Sequence, residues 1–149
     1  MNPTSPSLGD ALILATASHR GQTDKAGRPY ILHPLQVMQN LGRDATEEER
    51  IVALLHDVVE DCEVSPQDLR ERGYSETVLE ALALVTKVEG EDYDEFMRRL
   101  APNPIARRVK IADLTDNLDL SRIATPSEAD FERREKYRRA LDFLQKFST

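Results

Sequence analysis

Hydrophobic residues recur along most of this chain every three or four positions, the spacing of one face of an α-helix. Polar segments that contain glycine or proline separate these stretches. We find no run that alternates strictly between apolar and polar residues, the pattern of a half-buried strand. The sequence therefore predicts an all-α protein with short loops, consisting of a flexible N-terminal segment at residues 1–6 and one domain over residues 7–149.

The first two predicted helices flank a polar loop. The inner face of the first helix is predicted to carry Leu8, Ala11, Leu12 and Ala15. This helix ends before Gly21, and residues 21–29 form a loop because glycine interrupts them twice. A second helix over residues 30–41 has His33 in its first turn, where the following proline is tolerated.

The central predicted helix ends in a cluster of polar residues. Residues 46–49 form a capping box, and the apolar run 51–55 that follows indicates a helix buried on all sides. The cluster then consists of His56, Asp57, Glu60 and Asp61. Since residues four apart share a helix face, a continuous helix would carry these side chains as two adjoining stripes. Carboxylates in such a position require a cation or strong partners.

Serine caps, glycine and proline divide the rest of the chain into further helices. These are predicted to begin after Ser65, after Ser75, at Tyr93, after Pro104 and after residues 125–128. On the helix after Pro104, Asp113 and Asp116 share the face of Val109 and Ala112, so both acids are expected to point toward the core. The last helix is predicted to bury Phe131, Tyr137 or Ala140, Leu141 and Leu144.

The charge and the cysteine content restrict the possible partners and location. The formal net charge of −7 is spread along the chain, which argues against nucleic-acid or membrane partners. No apolar run reaches the ~20 residues of a membrane span, and the N-terminus lacks the layout of a signal peptide. One cysteine, Cys62, is consistent with the reducing cytoplasm and is interpreted as a packing residue. The sequence thus predicts a cytoplasmic protein with a small-molecule partner, and it contains no signal for an oligomeric state.

Only three histidines are present, which restricts any metal site. His33 and His56 are predicted on different helices, and with Asp57 and the inward-facing Asp113 they form a mixed set of nitrogen and oxygen ligands. Such a set suits Mn²⁺, Fe²⁺ or Zn²⁺ and leaves positions for water and substrate. We therefore predict a metal site in the helical core.

The order of these ligands, His, His-Asp, Asp, resembles the HD superfamily of metal-dependent phosphohydrolases. Five segments, within about residues 8 to 145, are further similar to the (p)ppGpp hydrolase domain of the Rel/Spo enzymes: His19-Arg20-Gly21-Gln22, Gly27-x-Pro29-Tyr30-Ile31-x-His33-Pro34, residues 54–61, Val85-Thr86-Lys87 and Lys110-Ile111-Ala112-Asp113-x-x-x-Asn117. A synthetase domain would not fit in 149 residues, so the expected relatives are the stand-alone small alarmone hydrolases of the metazoan SpoT homologue type.

The resemblance implies a compact multi-helix HD fold and an enzyme that removes the 3′-pyrophosphate of (p)ppGpp to give GDP or GTP. It implies one Mn²⁺, or another divalent metal, held by His33, His56, Asp57 and Asp113. The implied catalytic pair is Glu60 and Asp61. The implied substrate-binding residues are Arg20, Lys25, Tyr30, Lys87, Lys110 and Asn117. Chemically, a metal lowers the pKa of a bound water, and carboxylates one helical turn away can orient and deprotonate it.

Several residues depart from the pattern of the alarmone hydrolases. Asp24 stands where these enzymes usually have an arginine that stacks on guanine, and an aspartate cannot provide that planar cation. Leu114 replaces a usual Arg or Lys, and Asp116 a usual His or Tyr. Asp119 falls near a usual arginine, for which Arg122 is a possible replacement. These changes are interpreted as a loss of positive or aromatic character near the mouth of the site.

Two alternatives follow from these departures. The first keeps the chemistry and changes the substrate to another phosphorylated nucleotide, such as NADPH or a nucleoside monophosphate. The second is a weakly catalytic nucleotide-binding regulatory module, which predicts loss of a metal ligand or of the Glu60-Asp61 pair. The sequence retains both sets.

Overall fold

The computed structural model describes residues 5–121 and 123–147. Over these residues it contains nine helices and no strand, apart from one isolated antiparallel bridge between Thr23 and Pro29. The helices are α1 (Leu8–Ser18), α2 (Leu32–Asn40), α3 (Glu47–Leu55), α4 (Val58–Asp61), α5 (Pro66–Glu71), α6 (Glu76–Val85), α7 (Tyr93–Leu100), α8 (Pro104–Asn117) and α9 (Glu128–Lys146). The all-α prediction is confirmed. Residues 1–4 of the predicted N-terminal segment, and Arg122, lie outside the described residues.

Short polar side chains start most of these helices, as the sequence predicted. Complete capping boxes begin four of them, at Ser7, Thr46, Ser65 and Ser127. In each box the side-chain oxygen of the cap residue accepts a hydrogen bond from the backbone N–H of the third helical residue, whose carboxylate accepts one from the backbone N–H of the cap residue. The box of α9 pairs Ser127 with Asp130, and so lies two residues beyond the predicted start at Thr125.

The central helix is interrupted at the polar cluster, where the sequence predicted a continuous helix. Helix α3 ends at Leu55, and α4 begins at Val58. Between them His56 Nδ1–H donates to Ala53 O over 2.6 Å. In a continuous helix that carbonyl would accept the backbone N–H of Asp57, so the imidazole replaces a bond of the helical ladder. Asp57 accordingly adopts φ −101° and ψ −5°. The two polar stripes expected on one continuous helix are therefore interrupted between α3 and α4.

Helix α8 lies between two hydrophobic clusters. Its Val109 and Ala112 belong to the cluster built around α3, while Ala106 and Leu114 belong to the cluster formed with α6, α7 and α9. A helix with apolar residues on two sides must carry any buried polar residues on the strip between them. Buried Asp113 occupies that strip, so the packing of α8 directs a carboxylate into the interior.

Two predicted core positions are wrong. Leu12 is 37% exposed, and Leu14 is the buried leucine of α1 instead. Phe131 in the first turn of α9 is 50% exposed, whereas Ala140 and Leu144 are buried as predicted. In both helices the spacing of apolar residues fits more than one inward face, so periodicity alone did not select the buried one. Among the described residues, none of the helices has the length and apolar character needed to cross a membrane.

One charged network fastens α8 to the α2–α3 connection. Arg108 Nη2 donates to Leu41 O over 2.9 Å and to Asp44 Oδ1 over 2.7 Å. Its Nη1 lies 2.9 Å from Oε2 of buried Glu49, an ion pair without hydrogen-bond geometry. The guanidinium therefore ties α8 to the segment that starts the central helix.

We expect Arg108→Ala to lower the free energy of unfolding by about 2 kcal/mol, because the buried Glu49 carboxylate loses its cation. Urea unfolding followed by circular dichroism measures this change. Arg138→Ala is the matched control, since it removes an exposed pair with Glu135 and should cost less than about 0.5 kcal/mol. Equal losses in the two variants would contradict a structural role of the Arg108 network.

Candidate metal centre and adjoining cavity

Three buried residues from separate parts of the chain converge in the interior. His33 comes from the first turn of α2, His56 from the break after α3, and Asp113 from α8. One ligand atom from each lies within 4.8 Å of the other two. This group could hold a metal ion, and it contains three of the four ligands that the sequence predicted.

The side-chain distances describe a compact nest of imidazole nitrogens and carboxylate oxygens. His33 Nε2 lies 2.8 Å from Asp113 Oδ1, and His56 Nε2 lies 3.3 Å from the same oxygen. Asp57, the fourth predicted ligand, has Oδ2 3.1 Å from His56 Nε2 and 3.7 Å from His33 Nε2.

The buried Nε2 of His56 provides a test of fit for a metal. It has no partner in hydrogen-bond geometry, although two carboxylates surround it. Its other nitrogen is already used by Ala53 O. A buried polar atom without a hydrogen bond is costly, and a metal ligand is one way to satisfy it. The residues present therefore fit a divalent ion with nitrogen and oxygen ligands.

Electrostatics link the acids and imidazoles in this nest. Burial alone lowers the pKa of His33, but hydrogen bonds to Asp113 and Asp116 raise it to about 9. Burial raises the pKa of Asp57, but His56 lowers it to about 2. Burial likewise opposes ionisation of Asp113, yet Lys110 and His56 hold its pKa well below the usual range. The nest thus keeps its carboxylates ionised, balanced by positive charge that a divalent cation could replace.

Four further polar side chains hold the ligand residues in place. The Tyr30 hydroxyl donates a hydrogen bond to Asp57 Oδ2 over 2.6 Å. Burial, and to a lesser degree the charge of Asp57, raise the pKa of this phenol, so it remains protonated and a donor. Lys110 Nζ donates to Asp113 Oδ2 over 2.9 Å, and Asn117 Nδ2 donates to Asp113 Oδ1 over 3.1 Å. Asp116 Oδ2 accepts from His33 Nδ1 over 2.6 Å.

The predicted catalytic pair lies on α4, directly after the nest. Glu60 and Asp61 are both accessible to solvent, although neighbouring protein atoms cover part of each carboxylate. Partial burial raises the pKa of Glu60, and repulsion by the Asp57 and Asp61 charges raises it further. The pKa of Asp61 is raised by partial burial and by Asp57. A carboxylate with a raised pKa is a better proton acceptor, which suits general-base chemistry.

A cavity of about 410 Å³ opens beside the nest, between the 21–29 loop, the end of α8 and the first half of α9. Three predicted substrate-binding residues line it: Lys25, Tyr30 and Asn117. Helix α9 adds Arg133, Arg134 and Tyr137, which the sequence reading assigned to solvent or to the core. The spacing of polar residues along α9 could not identify the two arginines as cavity residues, because a cavity wall and a solvated helix face are both polar.

The remaining predicted substrate-binding residues lie apart from this cavity. Lys110 is largely buried against Asp113. Arg20 is exposed, and no hydrogen bond or ion pair joins it to the other described site residues. Lys87 is exposed beside a second groove of about 210 Å³ that Val59 and Thr86 also line. The structure therefore brings together only part of the predicted set.

The departures from the alarmone-hydrolase pattern have different surroundings. Asp24 and Asp119 line the cavity. Asp24 Oδ1 accepts hydrogen bonds from the backbone N–H groups of Ala26 and Arg28, both over 2.9 Å, and so shapes the loop. Leu114 is fully buried in the cluster of α6, α7 and α9, so its interpretation as a change at the mouth of the site is wrong.

Comparison with known proteins gives consistent matches. The family model described as HD domain matches residues 11–141. The chain is 30% identical over 128 residues to a guanosine-3′,5′-bis(diphosphate) 3′-pyrophosphohydrolase of Vibrio cholerae and 33% identical over 117 residues to one of Aquifex aeolicus. These alignments cover 78% and 72% of this chain, but only 18% and 17% of the relatives.

A solved structure resembles nearly the whole chain. It belongs to a metazoan orthologue of SpoT, described as hydrolysing ppGpp and playing a role in starvation responses. The two structures agree with a TM-score of 0.76 at 27% sequence identity, covering 95% of this chain and 88% of the other. This likeness confirms the multi-helix fold that the sequence resemblance implied.

We expect Asp57→Ala to weaken Mn²⁺ binding at least about 10-fold, because it removes the oxygen of a predicted ligand and leaves His56 without a carboxylate on that side. Glu60→Ala should bind Mn²⁺ within about twofold of the wild type, since Glu60 lies outside the nest. Isothermal titration calorimetry on protein stripped with a chelator measures both affinities. Equal weakening in the two variants would contradict this division between ligand and non-ligand.

Proposed function

Because the chain belongs to the HD domain family, we propose that it is a metal-dependent phosphohydrolase that removes the 3′-pyrophosphate of (p)ppGpp and releases GDP or GTP. The observation that carries this proposal is the likeness, over 95% of this chain and 88% of the other, to a metazoan SpoT orthologue described as hydrolysing ppGpp. The curated hydrolases support the same activity, although the chain spans less than a fifth of their length.

In this proposal His33, His56, Asp57 and Asp113 hold one Mn²⁺ or another divalent metal. When bound, the ion supplies polarisation of phosphate oxygens and acidification of water. His33, His56 and Asp113 are buried and Asp57 is largely covered, which excludes bulk solvent and would strengthen the attraction of the carboxylates for a cation. Tyr30 keeps Asp57 oriented through its hydroxyl, and Lys110 does the same for Asp113.

Glu60 and Asp61 form the proton-accepting part of the site. Both carboxylates follow Asp57 within one helical turn, and both have raised pKa values. One of them accepts the proton of the attacking water while the other orients it, and the water oxygen forms the new bond to phosphorus. The bond that breaks is the one between phosphorus and the nucleoside 3′-oxygen, and this oxygen leaves as a hydroxyl by taking a proton from solvent. Their exposure to solvent allows the accepted proton to leave after each turnover.

The nucleotide then occupies the adjoining cavity. A protein of net charge −7 must concentrate cations where a polyphosphate binds. Arg134 provides one at the cavity wall, and Lys25 and Arg133 provide two more that are paired with Asp130 in this structure. Lys110 provides one beside Asp113. Asn117 lies between the nest and the cavity, where it can reach the sugar. Arg20 and Lys87 remain candidates for the outer phosphates, since both are exposed.

A second candidate keeps this chemistry and changes the substrate to another phosphorylated nucleotide, such as NADPH or a nucleoside monophosphate. Asp24 favours it, because its carboxylate caps two backbone N–H groups of the loop and cannot stack on guanine. A cytoplasmic location fits either substrate and the single cysteine, and neither candidate requires a nucleic-acid or membrane partner.

The proposal is tested by incubating metal-free protein with Mn²⁺ and separate portions of ppGpp, pppGpp, NADPH and mononucleotides. We expect release of pyrophosphate from ppGpp, with a kcat lowered at least about 100-fold in Glu60→Ala because one of the two carboxylates that orient and deprotonate the water is lost. Chromatography of the nucleotides together with assays for pyrophosphate and phosphate identifies the products. Turnover of another nucleotide alone would replace the first candidate by the second. Binding without turnover of any nucleotide would favour a regulatory module.

We expect Asp24→Arg to raise kcat/KM for ppGpp relative to NADPH by about threefold to tenfold, because it restores a cation that can stack on guanine. Asp24→Ala is the matched control, since it removes the same loop hydrogen bonds without adding a cation. Initial rates of both variants on both nucleotides give the ratio. An unchanged ratio in Asp24→Arg would show that position 24 does not select the base.

A further inference from the structure

Asp116 is a buried acid that none of the proposed catalytic steps uses. It lies one helical turn after Asp113 on α8, on the same inward side, and is also in the wall of the cavity. Its Oδ2 lies 2.6 Å from His33 Nδ1, a short contact typical of a hydrogen bond to a charged acceptor. The sequence resemblance expects a histidine or a tyrosine at this position, so the carboxylate is a feature of this chain.

The two nitrogens of His33 face different acids. Nδ1 faces Asp116, while Nε2 faces Asp113 and the rest of the nest. A carboxylate can only accept, so the bond to Asp116 requires the proton on Nδ1. His33 Nε2 lies 2.8 Å from Asp113 Oδ1, so the imidazole carries both protons as the structure stands. A metal bound at Nε2 would replace the proton there, and the proton on Nδ1 would stay with Asp116.

We propose that Asp116 is a positioning residue for the metal site: it fixes the tautomer and ring orientation of His33, so that Nε2 is the metal ligand. The inference rests on the proposed metal site, and not on the identity of the nucleotide. It gives His33 the carboxylate–histidine–metal arrangement that orients many metal-bound imidazoles.

The charges around the nest are consistent with an ionised Asp116. The two ligand carboxylates, Asp57 and Asp113, balance a divalent cation. Lys110, whose Nζ is 2.9 Å from Asp113 Oδ2, then adds one further positive charge. Asp116 supplies a negative charge on the opposite side of His33, so the buried centre is near neutrality when the metal is bound.

The same contact also connects α2 with α8, so the test must separate positioning from helix packing. Asn40 provides the control, because its Nδ2 donates to the backbone oxygen of Ala112 over 3.1 Å and so joins the same two helices without a bond to a ligand side chain. Asn40→Ala should affect stability alone. Asp116→Asn retains the shape and one accepting oxygen but removes the charge, and Asp116→Ala removes the acceptor as well.

We expect the affinity for Mn²⁺ to fall about 10- to 100-fold in Asp116→Ala and by less in Asp116→Asn, while Asn40→Ala stays within about twofold of the wild type. Electron paramagnetic resonance of free Mn²⁺ measures these affinities, and unfolding curves identify variants that retain the fold. In the Zn²⁺-loaded wild type, long-range ¹H–¹⁵N spectra should show His33 bound through Nε2 and protonated at Nδ1.

Three results would overturn the inference. They are wild-type affinity in a folded Asp116→Ala, an equal loss in Asn40→Ala, and a spectrum with His33 bound through Nδ1. A wild-type protein that binds Mn²⁺ but leaves ppGpp intact would overturn the proposed substrate, and the metal affinities would still decide the role of Asp116.

Discussion

The burial of Asp113 is the constraint on which the rest of the site depends. Its side chain is only 4% exposed, and an ionised carboxylate at such a depth costs several kcal/mol unless partners surround it. Those partners are His33 from α2, His56 from the end of α3, and Lys110 from the preceding turn of α8. The helices are therefore fixed relative to one another by charge as well as by apolar packing, and the cluster that results has the composition of a metal site.

The candidate metal ligands and the adjoining cavity are built from different parts of the structure. The ligand nest and the acids of α4 lie within the helical core and at its edge, where packing fixes their geometry. The adjoining cavity is built from a loop, the end of α8 and one face of α9, which can vary without disturbing the nest. Asp24 is an example, because its carboxylate shapes the loop by accepting hydrogen bonds from the backbone of Ala26 and Arg28, which are not among the predicted metal ligands.

Much of the fold was predictable because its signals are local. Caps such as Thr46 and Ser65, together with the three-to-four spacing of apolar residues, mark the helices within a few positions. The candidate ligands could also be predicted from the sequence, since histidines are few and Asp113 falls on an apolar helix face. The resemblance of the motifs supplied what spacing could not, namely the order of the ligands, the reaction and the catalytic pair.

The sequence by itself thus determined the helices, their polarity and a short set of metal-capable residues. Tertiary structure alone decided which of them meet: His33 contacts Asp113 and Asp116 across about 80 positions of the chain, and α9 brings Arg133 to the cavity. It also decided the break at His56, where the imidazole takes a carbonyl from the helical ladder. The physical reason is that periodicity records which face of a helix is apolar, whereas only packing determines what lies opposite a polar residue.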